Sequence, residues 1–216
     1  VSAEARPEID LDAWPHLYRP GATARSPLVL TLHGTGGNEL EITALADAVA
    51  PSAAVLSPRG RVSEGGANRW FRRVREGVFD VDDVVMRAGE LAAFVTAARS
   101  RYGLADAPLT ALGFSNGANI ALATALLHPH AVGRVVAFSG MYPFGDRDPL
   151  GDGLPVELLL LNGEADPMAP AASVDVLEQR ATAHGASVTR LTRPGGHGIA
   201  AGEVQAAKEW WAATSR

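Results

Sequence analysis

Short apolar runs recur along the chain at residues 28–32, 54–57, 110–114, 135–139, 156–162 and 188–193, separated by longer mixed stretches. Runs this short and uninterrupted fit strands that are apolar on both faces because both faces are covered. A weaker run at His16–Arg19 is a candidate first strand. Between the runs the period changes. After Asp80, whose side chain can cap the first turn, Val84, Val85, Ala88, Leu91, Ala92 and Val95 recur at three- and four-residue spacing, which predicts a helix ending near Tyr102 and Gly103. Asn116–Leu127 is rich in alanine and leucine and stops before Pro129, while Ala171–Ala183 and 203–213 are amphipathic and uninterrupted. Strand alternating with helix predicts an α/β fold: a mostly parallel central sheet, helices on both faces and no large cap domain. No repeat, low-complexity tract or linker divides the chain, so residues 1–216 read as a single domain. The longest irregular stretch, 58–77, reads as a lid or a binding loop.

Charge and cysteine count narrow the chemistry. A formal net charge of −5 argues against nucleic acid and against stable association with an anionic membrane, both of which need a dominant positive field. With no cysteine, thiolate metal sites, disulfides and cysteine nucleophiles are excluded, and any nucleophile must carry oxygen or nitrogen. No stretch is as long as a membrane span, and "VSAEARPEIDLDAW" lacks the charged start and apolar middle of a secretory signal. A cytoplasmic location is therefore expected, with the qualification that the chain starts at Val1 rather than methionine. A homodimer stays open as an assembly.

The decapeptide "TALGFSNGAN" holds the candidate chemistry. Ser115 follows one predicted strand and precedes one predicted helix, the context in which a GxSxG pattern marks a nucleophile rather than a small turn residue. Such a turn strains the serine backbone and leaves no room for flanking side chains, hence Gly113 and Gly117. It also aims the Asn116 amide and the positive end of the helix at a developing oxyanion.

A serine nucleophile needs a base near the carboxyl ends of the strands. Of six histidines, His128 and His130 lie at the far end of the helix that begins at Asn116, about 18 Å away at roughly 1.5 Å per residue. His184 precedes a strand, His16 sits at a doubtful one, and His33 lies in a glycine turn where a structural role is preferred. His197 remains, in "RPGGHGI" just past the last strand. For the orienting carboxylate, "LLLLNGEADPMAP" offers Asp166, with Glu164, Asp146 and Asp148 as rivals; Pro167 fixes the chain after Asp166. The order Ser115, Asp166, His197 completes a catalytic triad. A second oxyanion donor is expected from "HGTGGNE", where the Thr35 amide would pair with that of Asn116. A phosphate-binding reading of that loop fails: the lysine-serine ending is absent, and Glu39 stands where a dinucleotide fingerprint has its third glycine.

With "LHGTGGNE", "LSPRG", "NRWFRR" with "GVFDVDD", "GFSNGAN", "NGEADP" and "GGHGI" in that order, nearly the whole chain resembles the α/β-hydrolase superfamily, in particular its small phospholipase/carboxylesterase branch, which includes acyl-protein-thioesterase-like enzymes. The resemblance implies a serine esterase acting on a small-molecule ester through an acyl-enzyme, with Ser115, His197 and Asp166 as triad, Thr35 and Asn116 as oxyanion hole, and no cofactor or metal. One position departs. Relatives acting on acylated proteins or lysophospholipids commonly carry glutamine after the serine, where this chain has Asn116, so thioester and lysophospholipid substrates stay alternatives, as does a non-catalytic ligand-binding role. Trp70, Phe71 and Met168 are candidate pocket walls. Arg69, Arg72, Arg73 and Arg75 meet either a substrate carboxylate or, as preferred, solvent and neighbouring acids.

Overall fold

A computed structural model describes residues 9–214; residues 1–8, part of the stretch read for a secretory signal, lie outside it. In chain order the elements are β1 (His16–Arg19), β2 (Leu28–Leu32), α1 (Thr43–Val49), β3 (Ala54–Pro58), β4 (Val62–Glu64), β5 (Ala67–Arg69), β6 (Arg73–Arg75), β7 (Val78–Phe79), α2 (Val81–Arg101), β8 (Leu109–Phe114), α3 (Asn116–Leu127), β9 (Arg134–Phe138), β10 (Glu157–Gly163), α4 (Ala171–Ala183), β11 (Ser187–Arg193) and α5 (Ala201–Thr214). Seven strands form one sheet in the order β1-β3-β2-β8-β9-β10-β11. Only β1 is antiparallel to its neighbour; all other adjacent pairs run parallel.

The apolar runs of β2, β3, β8, β9 and β10 are continuous because each of these strands feeds two cores by alternation, whereas β11 at the sheet edge is largely exposed. Leu28, Leu30, Leu32, Ala111 and Leu160 pack with α2, α3 and α4 on one face. Val29, Val55, Leu112, Val136, Phe138 and Leu161 pack with Ala46 and Val49 of α1 and Ala207 and Trp211 of α5 on the other. Each such valine, leucine or phenylalanine contributes roughly 1.5–3 kcal/mol on burial. The expected α2 forms as predicted: the Asp80 carboxylate accepts from the Asp83 amide at 3.2 Å. α1 was not expected. It is short, Ile42 provides no side-chain cap, and only Ala46 and Val49 are buried, so its sequence carries little helical signal.

The stretch 58–77 is not structureless. It folds into two small antiparallel hairpins, β4–β5 and β6–β7, and its centre is anchored: Trp70 is 3% exposed and Phe71 fully buried. The order of strands also positions the site. From β2 the chain crosses to β3 on one side, then returns past β2 to β8 on the other, so the β2 and β8 loops diverge at a topological switch point. A crevice forms where such loops part, at the carboxyl ends of the strands.

Candidate active site

Ser115 stands at the β8 end of that crevice with φ 54° and ψ −118°, one of two non-glycine residues with positive φ among those described. Its amide donates to the Phe138 carbonyl at 2.9 Å, and its carbonyl accepts the Asn119 amide at 3.0 Å to start α3. The flanking glycines are required by space. A Cβ at Gly113 would lie 2.5 Å from the Gly117 carbonyl oxygen, and a Cβ at Gly117 would overlap the Leu32 and His33 carbonyls. The strand, the helix and the loop after β2 thus close on the turn from three sides. A side chain forced into this conformation is the kind of local strain that tight packing must hold in place.

His197 lies on the loop between β11 and α5, 18% exposed, and its Nδ1 donates to Asp166 Oδ2 at 2.8 Å. The second carboxylate oxygen of Asp166 accepts the Met168 amide at 2.8 Å and the Ala169 amide at 3.1 Å. Burial pushes the Asp166 carboxyl up, but the His197 bond and these two amides outweigh it, so its pKa is lowered and it remains an anion. Its rivals lie elsewhere: Glu164 is exposed, and Asp148 faces His184 and Arg180. The His197 ring sits 5.1 Å from the Phe114 ring, next to Ser115 in the chain. No hydrogen bond joins Ser115 Oγ to the imidazole; with Nδ1 committed to Asp166, Nε2 is the nitrogen left to face a proton donor.

Two supports for this loop carry no motif. Ser139, the other non-glycine residue with positive φ, bonds Gly198 through its hydroxyl, accepting the amide at 3.4 Å and donating to the carbonyl at 3.1 Å. Arg193 donates through Nη2 to the carbonyls on both sides of His197, Gly196 at 3.0 Å and Gly198 at 2.9 Å, while Nε meets the buried Glu203 at 2.7 Å. Gly163 permits the approach, since a Cβ there would stand 2.5 Å from the Gly195 and Gly196 carbonyl oxygens.

On the β2 side, neither the Thr35 nor the Asn116 amide is taken up by a backbone carbonyl in the turns, loops and caps. Both residues are tied to the strap at the end of β5. Arg69 Nη1 donates to Thr35 Oγ1 at 3.0 Å, the Trp70 amide donates to Asn116 Oδ1 at 2.7 Å, and the Gly36 amide donates to the Asn68 carbonyl at 2.8 Å. His33 is internal to this frame. It accepts the Gly60 amide at Nε2, 2.9 Å away, so Nδ1 carries the proton and donates to the Gly34 carbonyl at 2.7 Å. Burial lowers its pKa and keeps it neutral.

A cavity of about 170 Å³ opens between these parts, lined by Ser115, Asn116, Asn119 and Thr35, by Arg69, Arg73, Glu76, Gly77 and Phe79 of the strap, and by Met168. Trp70 and Phe71 do not line it, a correction to their expected place as pocket walls. Trp70 packs on His33 with its indole N–H on the His33 carbonyl at 2.8 Å, Phe71 packs edge-on against Phe79, and Phe79 supplies the aromatic surface of the cavity. Trp70 is held inward by its own bonds, its amide on Asn116 and its indole on His33, in a strap that is bonded down rather than free. Asn119 was missed because a polar residue in the first turn of a helix looks solvated; here it is buried and also holds the Met141 amide at 2.8 Å. Another hollow, about 460 Å³ at Ile9, Asp10, Leu11 and Arg101, holds no histidine or serine. Among the described residues, no cluster of His, Cys, Asp and Glu could hold a metal ion.

The sequence model of the Phospholipase/Carboxylesterase family matches residues 19–215. The protein MhqD of Bacillus subtilis (strain 168) is 34% identical over 197 residues, covering 91% of this chain and 96% of that protein. The crystal structure of the Bacillus cereus carboxylesterase superposes with a TM-score of 0.87 at 36% identity, covering 93% of this chain and 94% of that one. A carboxylesterase from Mesorhizobium loti gives a TM-score of 0.84 at 30% identity, covering 93% and 95%.

Proposed function

The chain belongs to the phospholipase/carboxylesterase family of α/β hydrolases, and from that premise we propose that it is a serine esterase cleaving small carboxylic esters. In this reading Ser115 Oγ attacks the ester carbonyl as His197 Nε2 takes its proton. The tetrahedral oxyanion is held by the amides of Thr35 and Asn116. Collapse expels the alcohol, protonated by His197, and leaves an acyl-Ser115; water, activated by the same imidazole, then releases the acid. Asp166 keeps the proton of neutral His197 on Nδ1 and stabilises the imidazolium that forms; it does not itself take a proton. Removing one oxyanion donor would cost about 3 kcal/mol of transition-state stabilisation.

The observation that carries this reading is the 2.8 Å bond from His197 Nδ1 to Asp166 Oδ2, in a loop anchored through Ser139 to the end of the strand that holds the Ser115 amide. Catalytic contacts to the nucleophile often tighten only when substrate is bound, so the open Ser115–His197 pair is compatible with it. The cavity of about 170 Å³ favours short acyl groups over long lipid chains, being below the roughly 300–1,000 Å³ of pockets for drug-sized ligands. The reading includes a small-molecule substrate, no cofactor, no nucleic acid, no stable membrane association and a cytoplasmic location. Among the described residues, no helix is long and apolar enough to cross a membrane.

The test is turnover of p-nitrophenyl acetate together with covalent labelling by a fluorophosphonate. Wild-type protein is expected to do both, and Ser115→Ala neither. Full turnover by the variant would refute the assignment.

A further inference from the structure

The mechanism above leaves unused the two arginines of the cavity. Arg69 is the more unusual: its side chain is 4% exposed, yet it lines the cavity together with Ser115. Nε donates to the Phe71 carbonyl at 3.3 Å and Nη1 to Thr35 Oγ1 at 3.0 Å, whereas Nη2 makes no hydrogen bond among the described residues. Its one ion-pair partner among the described residues is shared and partly solvated: Glu64, 42% exposed, lies 3.3 Å from Arg69 and 3.1 Å from Arg73. Among the described residues Glu76 makes its ion pair with Arg73, a surface contact three residues along; it is 67% exposed and attracts Arg69 only from a distance. Burial and the nearby Arg73 lower the pKa of Arg69, and Glu64 and Glu76 do not offset them.

A buried cation with spare donors is costly unless something completes it. Within the chain Arg69 also braces Thr35, and bracing alone would explain its burial. It would not explain why a second guanidinium, Arg73, stands at the same cavity, or why one Nη of Arg69 is left without a partner. A planar guanidinium with a free edge matches a carboxylate in geometry as well as charge.

We propose that Arg69, with Arg73 beside it, forms an anion-recognising subsite in the Ser115 cavity, and that the preferred substrates are short esters bearing a second carboxylate, such as half-esters of dicarboxylic acids. This rests on the serine-esterase reading for the chemistry. The free carboxylate of the substrate takes the open edge of Arg69 while the ester carbonyl lies at Ser115. The exposed Glu76 can turn to solvent to make room, since its pairing with Arg73 is worth little.

The experiment compares matched esters within one protein preparation. Hydrolysis of monomethyl succinate and monomethyl glutarate is followed by proton release against methyl 4-methylpentanoate and methyl 5-methylhexanoate, in which an isopropyl group replaces the carboxylate. Wild-type protein is expected to favour the acidic esters by about tenfold or more in kcat/KM, as a charge-assisted hydrogen bond allows. Arg69→Met and Arg73→Met should each reduce that ratio severalfold. The ratio within each variant cancels the fraction of active protein, so partial misfolding of Arg69→Met does not blur it. Equal rates on both ester types by wild type, or an unchanged ratio in both variants, would overturn the proposal and leave Arg69 a brace. Calorimetric binding of succinate against butyrate reads the subsite without turnover: succinate should bind about tenfold tighter, and Arg69→Met should remove the difference. Succinate preference without ester turnover would support the subsite and reject the esterase chemistry; turnover of p-nitrophenyl acetate without either preference would do the reverse.

Discussion

The main-chain amide of Trp70 donates to the side-chain oxygen of Asn116 at 2.7 Å, joining the strap after β5 to the residue that follows the candidate nucleophile. Trp70 therefore acts on the site through its backbone, while its ring belongs to the core. Trp70→Phe, which loses the indole bond to His33, is expected to cost about 1 kcal/mol of stability. Asn116→Ala leaves the Trp70 amide without its acceptor and should cost roughly 1–3 kcal/mol. Urea unfolding measures both, and ester kinetics on Trp70→Phe provide the contrast. A large change in KM with unchanged stability would place the ring in the cavity after all.

Strain at Ser115 gives opposite effects on stability and activity. Its φ of 54° with ψ −118° suits glycine, so Ser115→Gly should stabilise the fold by about 1 kcal/mol, even after glycine's greater unfolded-state entropy. Ser115→Ala keeps the strain and should leave stability near wild type. Both should lose ester turnover. Thermal unfolding of the three proteins, with Ser115→Gly no higher than Ser115→Ala, would show that the turn stores no strain.

Asp166→Asn tests the orienting bond. The amide is close in shape to the carboxylate, but its NH2 can donate to His197 Nδ1 and favour the wrong tautomer. A fall in kcat on the order of 10⁴-fold is expected, with a much smaller change in KM. A loss below tenfold at neutral pH would remove Asp166 from the proposed triad. The lowered pKa of Asp166 adds a stability term that is complete above the unfolded carboxyl value of about 4 and is lost as pH falls through the folded one, so Asp166→Asn should flatten the acid limb of the stability curve.

Arg193 holds the carbonyls on both sides of His197, which makes it a support of the proposed base rather than a reacting group. Arg193→Met should lower kcat by about 10- to 100-fold, as small misplacements of catalytic groups do, and leave KM nearly unchanged. It also strands the buried Glu203, so a stability loss of about 3 kcal/mol accompanies it. Arg193→Met/Glu203→Gln should recover part of that stability but not the kcat, and recovery of both would show that the kinetic loss was only a folding defect.

His33 predicts the pH dependence of folding near neutrality. Burial holds its folded pKa below the unfolded value of about 6.5. Between the two values the unfolded chain binds the proton that the folded chain refuses. The contribution of His33 to stability is thus full above about pH 6.5 and declines as pH falls. Unfolding free energies measured from pH 8 to pH 5 should fall more steeply for wild type than for His33→Gln; parallel curves would contradict the burial of His33 as the cause.

What residue order alone determined was local. Apolar runs, caps and glycine spacing depend on neighbours a few positions away, so the six main strands, helices α2 to α5 and the serine turn could be read before any coordinates. That Ser115, Asp166 and His197 stand at one edge of the sheet was legible too, because each follows a parallel strand, β8, β10 or β11, where such a sheet gathers its loops. Other features depend on residues distant in the chain. Whether Trp70 or Phe79 faces the cavity is set by the strap's bonds to Gly36, Thr35 and Asn116, none of which leaves a mark in the local pattern. The same holds for Arg193 and Ser139 gripping the His197 loop, and for Arg69 lying buried with an edge unspent, since an arginine in a loop looks solvated until packing closes over it. Local propensity acts through hydrogen bonds and burial that each segment makes by itself; side-chain direction, charge balance and cavity shape exist only after the sheet has brought separate loops to one rim.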